Sequence, residues 1–335
     1  MSEQNSYSSS DLYPYFESHG SHCMAYSSLE KDCEYFIVEG MGYIAYISFR
    51  HPFWSWKECK VVLADPICDT SNYDEIVKRF IAQYKDVIFV QSSLALAEVL
   101  SKQGYQVNQF GVETELDVQH FSLAGKQRSK LRQWRNKCQR EGVEYKEQPV
   151  KDCQNHQEIR ALSDNWLKNK GGKEYSFLTR SFRYSDEKGV RNFWAYQDDK
   201  LIGFAVFDPI YVAGKVVAYY HNVDRIGDNA PHGVSASLLI YAMEKFKQEG
   251  IEYVSLGMSP LYQLMLQYHK AFDYNHFTRD ALRYAYDNLN FIYPFKGNSS
   301  HKKKFNGSKK PVFFSSTKGN SLWQVFVMMK AIDLF

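Results

Sequence analysis

Residues 251–261, Ile-Glu-Tyr-Val-Ser-Leu-Gly-Met-Ser-Pro-Leu, constrain this chain most. They form an apolar run rich in β-branched and aromatic residues that stops at Gly257 and Pro260, the pattern of a buried strand ending in a loop. Ahead of it, residues 234–248 place Leu238, Leu239, Ala242, Met243 and Phe246 on one helical face, with Pro231-His232-Gly233 as the opening and Gly250 as the stop. Loop, helix, strand and second loop leave backbone N–H groups at the helix start available to an anion, an arrangement suited to acyl transfer. Such a unit also serves as plain packing in α/β proteins, so chemistry has to be argued from further residues.

At 335 residues the chain suits two domains of ordinary size. A net charge of +3 excludes a uniformly basic nucleic-acid coat, yet the positive charge is concentrated at 126–140 and 302–310. The cysteines (Cys23, Cys33, Cys59, Cys68, Cys138 and Cys153) show neither a CxxC pair nor a histidine at zinc spacing, so no metal site is expected. No signal peptide and no apolar run of the ~20 residues that span a bilayer is evident. The expected setting is the reducing cytoplasm, with free thiols and peripheral contact with the inner membrane face at most.

The pattern predicts two similar halves. Residues 35–38, 43–49 and 61–63 read as strands, 73–83 as a helix, 87–91 as a strand, 94–102 as a helix stopping at Gly104, and 107–118 as a strand. In the second half, 193–196, 201–209 and 215–223 read as a meander with turns at Asp198-Asp199 and Ala213-Gly214. The helix and strand described above follow, then a helix at 261–270 and a closing strand at 281–291. The expected fold is α/β (α+β), with two mixed central sheets flanked by helices. The expected division is an N-terminal half at 1–120, a basic linker helix at 121–145, a catalytic half at 146–320 and an amphipathic segment at 321–335.

The linker has no proline between Gly125 and Gly142 and should be helical. Leu131, Trp134 and Cys138 share one face and would dock it, while Lys126, Arg128, Lys130, Arg132 and Arg135 project elsewhere. Acidic residues at helical spacing are nearly absent, so these charges repel one another unless an anion sits among them. A phosphate-rich ligand and a solvated charged face are both open readings.

Gly125-Lys126 with Arg132, Arg135-Asn136 and Arg140-Glu141-Gly142; Ser163-Asp164-Asn165-Trp166-Leu167; Asn229-Ala230-Pro231-His232-Gly233; Leu256-Gly257-Met258-Ser259-Pro260-Leu261; and His301-Lys302-Lys303-Lys304-Phe305 resemble, in order, landmarks of the phosphatidylglycerol lysyltransferase C-terminal family. The resemblance implies a tandem GNAT-like acyltransferase fold. It also implies transfer of an acyl or aminoacyl group from an activated donor, aminoacyl-tRNA or an acyl thioester such as acyl-CoA, to a lipid head group or other amphipathic acceptor. It makes Arg225 and Lys304 the catalytic cations, which would stabilise charge developing on the ester or the leaving group. Substrate contacts fall on Asn222, His232, Gly233, Gly257 and Met258, and tRNA or phosphate contacts on Lys126, Arg128, Arg132 and Arg135; Glu174, on the loop after Gly171-Gly172, reads equally as a contact for a substrate amine and as a solvated loop charge. No cofactor is firmly implied.

The departures matter too. Asn222 stands where lysyl transferases carry Asp, which weakens the case for a cationic aminoacyl group. The loop at 228–236 lacks the full glycine pattern that cradles coenzyme A. Full-length relatives place a membrane region before this domain and none is expected here, so the chain would either meet a lipid at the surface or use a soluble acceptor. The alternative function is a non-catalytic module binding RNA or anionic membrane. His221 and Asp224, three apart on a strand, should face opposite sides and form no dyad. His232 is read as a helix cap, Tyr262 and Tyr268 as core or rim tyrosines in preference to proton donors. The apolar end from Leu322 to Phe335, after the lysines at 302–318, reads as a helix closing the core, as a dimer seam or as an interfacial anchor.

Overall fold

The computed structural model describes residues 9–50, 58–153, 156–169, 180–264, 268, 271–288, 295–318, 323, 324 and 326–328. The first half runs α1 (Ser9–His19), β1 (Glu34–Val38), β2 (Gly42–Arg50), β3 (Glu58–Leu63), β4 (Ile67–Cys68), α2 (Tyr73–Gln83), β5 (Val87–Ser92), α3 (Leu94–Lys102) and β6 (Gln106–Asp117). The second runs α4 (Ser129–Arg140), β7 (Glu144–Glu147), α5 (His156–Asn169), β8 (Arg191–Gln197), β9 (Lys200–Val212), β10 (Lys215–Ile226), α6 (Val234–Gln248), β11 (Tyr253–Pro260), α7 (His276–Asn288), α8 (Phe295–Lys303) and β12 (Ser308–Ser316).

The two expected sheets are continuous. One twelve-stranded mixed sheet has the order β1-β2-β3-β5-β12-β6-β11-β10-β9-β8-β7, with β4 paired to β2. The final strand of each half lies beside the other half's strands: β6 pairs antiparallel with β11, β12 pairs antiparallel with β5, and β6 and β12 pair with each other. Helices cover both faces. Ile76, Val77 and Phe80 of α2 and Leu96 and Leu100 of α3 pack on Ile44, Val62 and Phe89. On the second half, Leu239, Met243 and Phe246 of α6 pack on Phe193, Ala205 and Phe207, while Ile159 and Leu162 of α5 pack on Trp194, Phe204 and Val206. Alternation along β8 and β9 therefore assigns one face to α6 and the other to α5.

Local signals explain most of the boundaries. The β8–β9 and β9–β10 hairpins turn on Asp198 and Asp199 (φ 50° and 58°) and on Ala213 and Gly214 (φ 49° and 79°), the paired left-handed residues that match the strand twist. Gly104 and Gly250 end α3 and α6 with φ of 87° and 79°. Two expectations are corrected. Residues 281–291 do not close the sheet: up to Asn288 they belong to α7, whose start is fixed by Asn275, its Oδ1 accepting from the Thr278 N–H at 2.9 Å. The closing strand is β12, hidden by Lys309, Lys310 and Pro311. Pro311 is tolerated because pairing with β5 begins only at Phe313, so at Pro311 the strand is bordered by β6 alone. Of the expected helix at 261–270, Leu261, Tyr262 and Gln263 form a turn, Tyr268 is helical with its ring against Phe313, and most of the remainder lies outside the described residues.

The described part of the C-terminal segment docks on the core. Trp323 lies 6.0 Å from the Phe49 ring, the Gln324 amide donates to Asp86 Oδ1 at 2.7 Å, and Val327 and Met328 are buried with Met24, Ile88 and Phe314. Met328→Ala should therefore lower stability by about 2–5 kcal/mol in denaturant titrations, as for other buried Met truncations. A variant with wild-type stability would detach this segment from the core.

Candidate active site at a split in the sheet

One row of residues fixes the site. Ser308 at the start of β12 pairs with Glu115 of β6, Glu115 with Ser255 of β11, and Ser255 with Tyr220 of β10. Beyond that row β10 and β11 part: their parallel pairing covers only Ala218–Tyr253, Tyr219–Val254 and Tyr220–Ser255, while β10 continues to Ile226 and β11 to Pro260. Gly257 lies at the fork with φ 68°, and a Cβ there would come within 2.7 Å of the Tyr220 ring. The pairing of β11 with β6 also shifts register between Ser255 and Met258. Because β12 begins in this row, the residues just before it, the end of α8, are delivered to the fork.

Lys302 fills it. Its Nζ donates to the Met258 carbonyl at 2.7 Å and the Gly257 carbonyl at 3.2 Å, and burial pushes its pKa down to about 7. Behind it, Glu113 accepts from Ser255 Oγ at 2.6 Å, and burial raises this carboxylate above its ordinary range. Gly257 and Met258 thus meet the Lys302 amino group through their carbonyls. Neither Lys302 nor Glu113 was singled out as a site residue from sequence; Glu113 sits within the alternating pattern of a strand and carries no motif.

On the α6 face, β10 contributes two titratable side chains. A register shift between His221 and Val223 lets His221 pair with Phe207 and Asp224 with Ala205, both of which point to α6. The expected opposition of His221 and Asp224 is therefore overturned by the bulge, which restores a common face across a three-residue separation. Asp224 Oδ2 accepts from Ser235 Oγ at 2.5 Å, and its Oδ1 is buried without a hydrogen-bond partner. Burial raises the Asp224 pKa, with Ser235 and His301 opposing. His221 stacks on Phe207 at 4.9 Å, its Nε2 is buried without a partner, and burial pushes its pKa down to about 3. His301 of α8 feels Asp224, His221, Lys304 and Lys302, and burial lowers its pKa.

Lys304 lies on this side as well, 5.0 Å from the ring centroid of Trp134 on α4, whose ring also carries Lys130 at 5.8 Å. The exposed His232 does not cap α6. The cap position is Gly233, without a side-chain hydrogen bond, and the His232 ring lies edge-on to Trp134 at 5.1 Å. Gly233 has φ 106°, and a Cβ on it would meet the Trp134 side chain at 2.5 Å, so α4 dictates glycine here.

Arg225 lies on the opposite face. It pairs with Phe204, is 4% exposed, donates through Nη1 to Ser163 Oγ of α5 and sits 5.6 Å from the Trp166 ring. Burial pushes its pKa down to about 10, with Asp164 opposing. Arg225 and Lys304 thus sit on opposite faces of the sheet, although sequence reading set them beside one ester. The Asn222 amide donates to the Arg180 carbonyl at 3.4 Å, and its Oδ1 is buried without a partner. Glu174 lies outside the described residues.

The basic helix is shorter than expected, beginning at Ser129, and docks through Leu131, Trp134 and Cys138 as expected. Its cations are less free than the missing acids suggested. Arg132 donates to the carbonyls of Leu123 and Gly125 (2.6 Å for the latter), and Arg128 donates to the Ser122 carbonyl at 2.6 Å while stacking on Phe121 at 4.4 Å. Arg135 reaches Glu244 of α6 at 3.8 Å, and Lys126 is exposed. Backbone oxygens outside the helix supply the counter-dipoles that its own sequence lacks.

The fold is shared with solved structures. L-PGS from Bacillus licheniformis matches with a TM-score of 0.77 at 21% identity, covering 96% of this chain and 95% of that one. The C-terminal domain of a putative lysylphosphatidylglycerol synthetase from Agrobacterium fabrum matches at 0.73 and 20%, covering 96% of both. The family model for the C-terminal region of phosphatidylglycerol lysyltransferase matches residues 14–315, and the chain belongs to this family. A phosphatidylglycerol lysyltransferase of Staphylococcus aureus (strain MRSA252) is 24% identical over 317 residues, which cover 92% of this chain and 36% of the relative. The chain thus spans about a third of the length of the curated relatives it matches. Among the described residues no helix is long and apolar enough to cross a membrane.

Arg132→Ala should lower stability by about 1–3 kcal/mol, since it releases two carbonyls from a charged donor. Lys126→Ala should leave the melting temperature unchanged. Equal effects in thermal melts would refute the division between internal and outward-facing cations.

Proposed function

We propose that this chain is an acyltransferase of the aminoacyl-transferring kind, moving an acyl or aminoacyl group from an activated donor to a lipid head group or other amphipathic acceptor at the split between β10 and β11. The observation that carries this reading is a split in the sheet bonded to the Lys302 amino group, in a chain whose relatives are named phosphatidylglycerol lysyltransferases. In the transfer, an acceptor oxygen bonds to the donor's carbonyl carbon, and negative charge grows first on the carbonyl oxygen and then on the leaving atom, the ribose oxygen of an aminoacyl-tRNA or the sulfur of a thioester, as its bond to that carbon breaks. A fixed cation in a dry site favours that charge without reorganising solvent.

Lys304 is the cation proposed to face the donor, because it shares its side of the sheet with Lys126, Lys130 and Arg135, the side on which a phosphate-rich donor such as aminoacyl-tRNA would lie. Arg225 acts from the α5 side, with Asn222 nearby on the same strand, where a head group would be held. His232, Gly233, Gly257 and Met258 border the donor side, and Glu174 is retained as a contact for a substrate amine. Coenzyme A remains the second donor class. Peripheral contact with anionic membrane is proposed through Lys303, Lys310 and Lys318, at ~1 kcal/mol per lysine near such a surface.

The test is transfer by the full chain, with lysyl-tRNA or an acyl-CoA as donor and phosphatidylglycerol vesicles as acceptor. Lys304→Ala should reduce turnover at least ~100-fold with little change in melting temperature, as for loss of one donor to a developing oxyanion. Arg225→Ala should lose turnover and stability together, because it strips the partner from Ser163 inside the α5 layer. Salt-sensitive RNA or vesicle binding without product from either donor would overturn the reading in favour of a binding module.

A further inference from the structure

We propose that the cleft between the segment after β6 and the outer face of α6 is a base-binding subsite, which takes one unstacked nucleobase from the single-stranded end of an RNA donor. The proposal rests on the transfer reading above and deepens it by giving the donor a second point of attachment beside the split. The cleft has a volume of about 140 Å³. Val118, Phe121 and Leu123 line one side and Ile240 and Met243 of α6 the other. Arg135 of α4 and Glu244 and Lys247 of α6 stand exposed at its mouth.

The wall formed by residues 118–123 is fixed by the fold itself. The Val118 N–H donates to the Glu252 carbonyl at 2.9 Å, and the Gln119 amide donates to the Ile251 carbonyl at 2.7 Å. Arg128 donates to the Ser122 carbonyl at 2.6 Å while its guanidinium lies 4.4 Å from the centre of the Phe121 ring, and Arg132 donates to the carbonyls of Leu123 and Gly125. Two cations of the basic run are thus used in shaping the wall, which lowers the cost of ordering it when a ligand binds. The cations left at the mouth are Lys247 and Arg135, the latter 3.8 Å from Glu244.

Size and chemistry together select the occupant. A cavity of ~150 Å³ lined by aliphatic and aromatic side chains takes up benzene, so this cleft suits a single ring, whereas a long acyl chain would leave most of its length outside. A nucleobase presents apolar faces to such walls, edge N–H groups that Glu244 can accept, and flanking phosphates for Arg135 and Lys247. A free phosphate would gain nothing from five apolar side chains, and a hydrocarbon tail nothing from the carboxylate. The position suits the transfer. The Phe121 ring lies 6.5 Å from that of Phe305, the residue after Lys304, and Arg135 follows Trp134, whose ring centre is 5.0 Å from the Lys304 ammonium. A base seated in the cleft therefore keeps the end of its strand close to the proposed donor cation.

The experiment uses the full chain with deacylated tRNA, with a short single-stranded RNA ending in CCA and with phosphatidylglycerol vesicles. It reads Kd against salt, together with the NMR signal of the Met243 methyl group. Leu123→Trp, which places a ring of the protein's own in the cleft, should bind both RNAs roughly 5- to 150-fold more weakly, the loss expected for one stacked base, with an unchanged salt slope. Lys247→Ala should lower that slope by ~0.7, one phosphate contact on a single strand. In the wild type the short RNA should shift the Met243 methyl signal, because a ring seated against it changes its local field. Wild-type RNA affinity in Leu123→Trp overturns the subsite, and so does an unmoved Met243 signal in the wild type, a measurement that needs no variant to fold. Weaker vesicle binding by Leu123→Trp at unchanged RNA affinity assigns the cleft to an acyl chain and overturns the proposal. Transfer from an acyl-CoA by a chain that binds no RNA removes the subsite and keeps the function, whereas RNA seated in the cleft without product from either donor keeps the subsite and removes the function.

Discussion

The pairing of β6 with β12 is the constraint on which the rest of the molecule depends. These strands run antiparallel from Ser308–Glu115 to Ser316–Gln106 at the middle of the sheet, and each is bordered on its other side by a strand of the opposite half. Neither half can keep its sheet intact if they separate, because each would lose the neighbour of its innermost strand and expose a row of unpaired backbone groups. The pairing also sets where α8 ends. Chain preceding a strand has little freedom once the strand's first residue is pinned, so His301, Lys302 and Lys304 are carried to the fork by the register of β12. Their own affinity for the site has less to do with it.

The fork is a break in strand pairing whose β11 edge is bonded to Lys302. Between β10 and β11, beyond Tyr220 and Ser255, the ladder is interrupted, as it also is between β5 and β12 ahead of Phe313. The same sheet holds unlike groups on its two sides. Arg225 lies against Ser163 and Trp166, whereas Asp224 and His221 face α6. In both places desolvation is the largest influence on the titratable groups. It disfavours charge on Arg225, His221, His301 and Lys302 and raises the pKa of Asp224, so hydrogen bonds and neighbouring charges act as corrections to burial.

Much of the architecture was legible in the sequence because its signals are local. The exact span of α6, the hairpins at Asp198-Asp199 and Ala213-Gly214, and the docking face of α4 follow from periodicity and from residues that accept positive φ. What was misread depends on partners distant in the chain. β12 contains lysines and a proline that argue against a central strand, and its place becomes intelligible only when β5 is seen to end short of Pro311. Residues 281–288 show an alternation that a strand could use, yet Asn275 caps a helix ahead of them. The common face of His221 and Asp224 needed a bulge that no turn residue announces.

The basic run on α4 shows the same limit in electrostatics. Counting acids at helical spacing treats the helix as if it were alone in water, where five cations without partners must repel. In the fold, carbonyls of residues 122–125 and Glu244 of α6 lie within reach, so Arg128, Arg132 and Arg135 have partners outside the helix, while Lys126, Lys130 and Arg140 are exposed. Trp134 joins this helix to the chemistry, because its ring receives Lys304, borders His232 and forces glycine at the start of α6. The helix is therefore a wall of the candidate site as well as a charged surface, and a substitution on its buried face would displace Lys304 and the start of α6 together.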